Sequence, residues 1–92
     1  MRIRWADSAR EDFDRAIDHI EAQSGSGARR VAERIVSAID LLEQFPEAAP
    51  KSRHRGLRQL VVSRTPYIVV YRIEGDWIEI RAVVHAAQKR RK

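Results

Sequence analysis

The sequence predicts an α+β fold: an N-terminal strand, an antiparallel helical hairpin, then a three-strand antiparallel meander, with the helices on one face of the sheet. Three observations carry this. Apolar residues recur at helical spacing from Ala9 to Phe45, broken once by SGSG at 24–27. After Gly56 the chain changes to three runs rich in β-branched and aromatic residues, LRQLVVS, YIVVYRI and WIEIRAVV. The joints SGSG, Arg-Thr-Pro at 64–66 and Glu-Gly-Asp at 74–76 are short and punctuated by Gly or Pro, which favours the two helices, and the successive strands, lying beside each other. At 92 residues the chain is expected to be one domain, 1–92, with one modest core.

The elements follow in order. IRW at 3–5 is a short apolar strand. Ser8 with Glu11 three residues on has the capping-box pattern, in which the hydroxyl and the carboxylate satisfy free amide donors at a helix start. Ala9, Phe13, Ala16, Ile17 and Ile20 then share one helical face, with Glu11, Asp14, Arg15, Asp18 and Glu21 elsewhere. SGSG ends this helix, and Ser26 is the expected cap of the next. Ala28, Val31, Ala32, Ile35, Ile39, Leu42 and Phe45 form the buried stripe of a helix expected over 28–45, which Pro46 ends. Leu41 lies off that stripe. EAAPKSRHRG at 47–56 is a polar, basic loop. Pro66 suits a turn or a strand's first residue, and Glu-Gly-Asp at 74–76 a tight hairpin turn. Strict alternation in the last strand puts Ile78, Ile80, Ala82 and Val84 on one face and Trp77, Glu79, Arg81, Val83 and His85 on the other.

Charge is unevenly divided. Residues 1–47 hold 7 Lys/Arg and 10 Asp/Glu, a net of −3; residues 48–92 hold 11 and 3, a net of +8. The second half is therefore the half suited to an acidic partner, nucleic acid or protein. The absence of cysteine excludes disulfides, thiolate zinc sites and cysteine nucleophiles and fits a reducing cytoplasm. The charged start MRIRWADSAREDF has no apolar signal core. The longest strongly apolar run, YIVVY, is far short of the ~20 residues of a membrane span, so no membrane association is expected.

Chemical motifs are few. His19 has no histidine one turn away, and His54 sits between Arg53 and Arg55, where a cation is disfavoured; no metal and no cofactor are expected. SGSG lacks the spacings of phosphate-cradling loops, and no serine stands in a GxSxG elbow. What remains is a basic set: Arg53, Arg55, Arg58, Arg64, Arg72, Arg81, His85 and the tail Lys89–Lys92. Such a set could cut RNA without metal, a base activating the ribose 2′-hydroxyl and arginines stabilising the phosphorane. It could equally be the exposed ends of strands beside a frayed, disordered basic tail over 85–92.

The order and spacing of several stretches resemble the RelE/ParE superfamily of type II toxin–antitoxin toxins. They are Trp5, Ala9 and Asp12 at the start, LLEQFPE closing the second helix, GLRQLVV, PYIVVYRI and IEIRAVVH. The resemblance covers nearly the whole chain. It implies a bacterial toxin paired with an acidic antitoxin, and two mechanisms: RelE-like members cleave mRNA on the ribosome, whereas ParE-like members poison DNA gyrase. RelE-type nucleases often carry an arginine just after the tyrosine of PYIVVY, where this chain has Ile68. They often carry a basic residue after the last strand, where it has Ala86 and Ala87, and an aromatic near the C-terminus, where none follows Trp77. The resemblance therefore favours the ParE-like branch. Arg58 in GLRQL and His85 in VVH match that branch, while Ala87 departs from a common arginine.

Three functions follow. The first is a gyrase-binding toxin using Arg58, Arg81, His85, Lys89 and Arg90 toward its target. The second is a ribosome-dependent endoribonuclease in which Arg58, Arg81 and His85 share the base and phosphate roles. The third is a non-toxic relative of the same fold. All three share an antitoxin partner that lays an amphipathic helix on the helical hairpin, with Leu41, Arg53 and Arg55 as its expected contacts.

Overall fold

The computed structural model describes residues 1–89. β1 (Arg2–Trp5) leads into α1 (Asp7–Glu21) and α2 (Gly25–Leu41); β2 (Arg58–Val61), β3 (Tyr67–Glu74) and β4 (Trp77–His85) follow, and a single helical turn, α3 (Ala86–Lys89), closes the described chain. The sheet order is β1-β4-β3-β2. β2, β3 and β4 form the expected antiparallel meander. The sheet as a whole is mixed, because β1 pairs with β4 in parallel, Ile3 opposite Ile78 and Trp5 opposite Ile80. The meander leaves β2 and β4 as its outer strands, and β1 can join only at one of them. Docking beside β4 delivers the chain directly to the start of α1. Residue alternation is the same for either direction of pairing, so the sequence could not specify it.

The helices cover one face of the sheet. Ala9, Ile35, Ile39 and Leu42 pack with Val62, Val69, Tyr71, Ile78, Ile80 and Val83 in a single core. Its seven largest fully buried side chains, among them Tyr71, Ile35 and Leu42, are essentially inaccessible, each stabilising the fold by about 1.5–3 kcal/mol before entropic costs. Trp5 meets Phe13 edge-to-face at 5.5 Å and seals the β1–α1 corner. Gly75, at φ 61, holds the first central position of the β3–β4 turn, as the glycine of a II′ turn does. Among the described residues no helix is long and apolar enough to cross a membrane.

Both helix starts differ from expectation. Ala6, not Ser8, precedes α1, and no side chain caps it. The Ala6 N–H still donates to Ile80 O, so the ladder runs to the edge of the helix and leaves no position for a capping box. Ser8 is already helical, and its hydroxyl donates to Arg81 O at 3.2 Å. Ser24 rather than Ser26 caps α2, accepting from the Gly27 N–H at 3.1 Å. α2 ends at Leu41 instead of 45. The Leu42 and Glu43 N–H groups reach back three residues, to Ile39 and Asp40, which tightens the end of the helix. That turn drives Leu42 into the core at 1% exposure. Leu41 and Phe45 are left 59% and 57% exposed, although Phe45 belonged to the expected buried stripe.

The larger difference lies in β4. Tyr71 pairs with Ile80 but Val70 pairs with Ala82, so Arg81 is an extra residue in the ladder, a β-bulge. The bulge inverts the alternation beyond it. Val83 and His85 lie on the helix-covered face with Ile78 and Ile80, opposite Val69 and Tyr67 respectively, while Ala82 and Val84 face outward.

Candidate functional site

β1 stops pairing at Trp5, so among the described residues the outer edge of β4 beyond Ile80 has no strand beside it. α1 covers that edge. Ser8 meets Arg81 O, and Asp12, one helical turn later, accepts from the Val83 N–H at 3.1 Å through Oδ2. Two short polar side chains thus satisfy the ladder groups that the bulge and the end of β1 leave open. The next element is His85. Its ring meets Tyr67 edge-to-face at 5.4 Å. Its Nδ1 accepts the Ala87 N–H at 3.0 Å, so the proton of the neutral ring sits on Nε2. Asp12, Arg15, His19, Tyr67 and His85 line a shallow cleft between α1 and the end of the sheet. Burial raises the Tyr67 phenol above its ordinary range.

Arg58 is on the same face of the sheet but lies at its other end. It pairs with Tyr71 across β2–β3. Its Nη1 donates to the carbonyl of buried Ala49 at 2.7 Å, and the Tyr71 hydroxyl donates to Pro46 O at 2.8 Å. Arg58 and Tyr71 together pin the 46–49 connection onto the sheet. Burial raises the Tyr71 pKa, against lowering by a backbone hydrogen bond at Ala49 and by the Arg58 charge.

Arg81 points elsewhere again. It donates to Glu79 on the outer face at 3.1 Å, where Glu79 also meets Arg4 and Arg72 at 3.8 Å and Glu74 pairs with Arg4 and Arg72. Arg58, Arg81 and His85 are therefore not brought together. Arg58 and His85 lie on opposite sides of β3, opposite Tyr71 and Tyr67. Strand geometry separates their backbones by ~16 Å, from two interstrand spacings and four residues of rise. Lys89 ends α3, and Arg90 lies outside the described residues.

The expected partner contacts also divide. Leu41 lines an apolar groove of about 510 Å³ between α2 and β2, together with Phe45, Leu60, Val61, Arg30 and Arg34. Val61 is 68% exposed, and β2 is an edge strand of the sheet. Arg53 and Arg55 line a separate basic hollow with Lys51 and Arg58. Asp12, Phe45, Val61, Arg30 and Arg34 are site residues that local sequence does not mark as such. The available signal was the four-residue spacing of Ser8 with Asp12 and of Leu41 with Phe45.

Comparison with known proteins agrees with the fold. Y4kP of Sinorhizobium fredii is 39% identical over 88 residues, 96% of this chain and 91% of that protein. Toxin RelE2 of Caulobacter vibrioides is 31% identical over 87 residues, 95% of this chain and 97% of that protein. A chain from the chromosomal ParDE toxin–antitoxin system of P. aeruginosa superposes with a TM-score of 0.83 at 27% identity, covering 92% of this chain and 95% of that one. The family model for the ParE toxin of the type II toxin–antitoxin system parDE matches residues 3–90, and the chain accordingly belongs to the ParE toxin family.

Proposed function

We propose that this toxin acts by binding DNA gyrase in the cytoplasm and blocking its supercoiling cycle, with no chemistry of its own. The observation that carries this reading is the dispersal of Arg58, Arg81 and His85. A metal-independent ribonuclease needs its base, its acid and its phosphate-stabilising cations converging on one scissile bond within hydrogen-bond reach. Here one arginine holds a loop carbonyl, the second holds an outer-face carboxylate, and the histidine sits against Tyr67 at the far end of the sheet. Such an arrangement suits a contact surface better than a reaction centre, with Arg81 offered on the outer face of β4 and His85 on its helix-covered face.

Neutralisation falls to an acidic antitoxin. The α2–β2 groove offers apolar anchors at Leu41, Phe45 and Val61, and Arg30 and Arg34 suit a carboxylate-bearing amphipathic segment. The decisive assay adds the purified chain to gyrase and relaxed plasmid. Loss of supercoiling, with ribosome-bound mRNA left intact, supports the reading. Unimpaired supercoiling, together with mRNA cleavage that His85→Ala and Arg58→Ala abolish, sinks it in favour of the ribonuclease.

A further inference from the structure

The segment between the helices and the sheet forms a small ribbon. Lys51 and Arg58 make an antiparallel bridge, the Ser52 N–H donates to Leu57 O at 2.9 Å, and the Gln59 N–H donates to Pro50 O at 3.1 Å. The tip is closed by the Leu57 N–H to His54 O and by the Ser52 hydroxyl, which accepts from the His54 N–H at 2.9 Å. Gly56, at φ 77, supplies the left-handed residue of the turn. This tied-down ribbon carries Lys51, Arg53, His54 and Arg55 exposed, and Lys51, Arg53, Arg55 and Arg58 line one hollow. No Asp or Glu occurs anywhere from residue 48 to residue 73. Among the described residues, Arg4, Arg15, Arg72 and Arg81 form ion pairs, whereas Lys51, Arg53 and Arg55 form none.

We propose that the 50–59 ribbon is a phosphate-binding element that contacts the backbone of duplex DNA. Unneutralised cations on a rigid, exposed turn are what polyanion binding requires. No phenylalanine, tyrosine or tryptophan lines the hollow among the described residues, so it lacks the broad stacking platforms on which single-strand binders seat successive bases. A two-stranded ribbon is narrow enough to enter the major groove of B-form DNA, with its arginines against the flanking phosphates, and too wide for the major groove of A-form RNA. The contact does not depend on the gyrase reading, since a chain that never met gyrase would still show it.

The test is fluorescence anisotropy of the full chain with a labelled mixed-sequence DNA duplex of about 20 base pairs, across a KCl series. Arg53→Gln with Arg55→Gln removes two phosphate contacts. The slope of log K against log salt should fall in magnitude by about 1.8, which over one decade of salt is about a 60-fold weakening at 0.1 M. Arg10→Gln with Arg29→Gln removes the same net charge at exposed helix positions and should leave the slope unchanged. Wild-type protein should bind the duplex more tightly than single-stranded RNA of equal length. The proposal is overturned by an equal slope change in the control pair, by no change in the ribbon pair, or by tighter binding of the single-stranded RNA. It is also overturned if replacing the four cations Lys89–Lys92 with glutamine abolishes binding while the ribbon pair does not. Unimpaired gyrase activity in the separate supercoiling assay would leave it standing.

Discussion

Replacing Asp12 with alanine tests how α1 holds the bulged strand. Oδ2 of Asp12 accepts from the Val83 N–H at 3.1 Å, and Val83 is 5% exposed. The second oxygen is 3.5 Å from Arg15 Nη1, but Arg15 is 73% exposed, so that ion pair adds little. The main effect is therefore the loss of a hydrogen bond to a charged acceptor, which contributes about 1.5–3 kcal/mol, with a partly buried N–H left unpaired. A cost of about 2 kcal/mol corresponds to a fall in Tm of roughly 8–16 °C for a domain of this size. Asp12→Asn keeps a neutral acceptor at the same place and should recover about half of the loss. Ser8→Ala should cost about 0.5–1 kcal/mol, and because Ser8 and Asp12 secure one edge, the double variant should depart from additivity. Urea unfolding followed by circular dichroism measures all four. A cost below about 0.5 kcal/mol for Asp12→Ala, the range of an ordinary surface change, would show that α1 does not secure β4 through this carboxylate.

Three further outcomes are expected. Phe45→Ala and Leu41→Ala should leave the toxin's unfolding midpoint nearly unchanged, since both side chains are more than half exposed, yet weaken antitoxin binding by tenfold or more each in calorimetric titration. Arg58→Ala should destabilise by about 1–3 kcal/mol by stranding the carbonyl of buried Ala49, and Tyr71→Phe by about 1 kcal/mol through loss of the bond to Pro46 O, both read by chemical denaturation. Tyr67 and Tyr71 have pKa values raised above 10.0 by burial. A raised pKa means that the folded state holds the phenolic proton more tightly, so the stability is fully present below about pH 10 and is lost as pH rises through the folded values. Phenolate absorbance near 295 nm should appear together with unfolding; ionisation at the ordinary pH in a chain that stays folded would contradict the burial argument.

The element order, the two helices and the three-strand meander were legible because each rests on local periodicity. Apolar residues must lie on one side of a helix, or on alternate positions of a strand, to leave water together. Leu41 could be recognised as surplus to the helix stripe for the same reason. The order of the sheet was not legible, nor was the parallel docking of β1, because alternation is blind to strand direction. The bulge at Arg81 was hidden too, since an extra residue looks like any other in a run of β-formers. That one residue decided the most: it turned His85 to the helix side, left Arg81 with Glu79 on the outer face, and gave Ser8 and Asp12 their partners. The family resemblance fixed the toxin identity, because the order of many weak stretches along the chain is itself specific. Which of the basic residues can act together was decided only by tertiary structure, because convergence depends on register and on which face of the sheet each side chain leaves, and neither is written in local sequence.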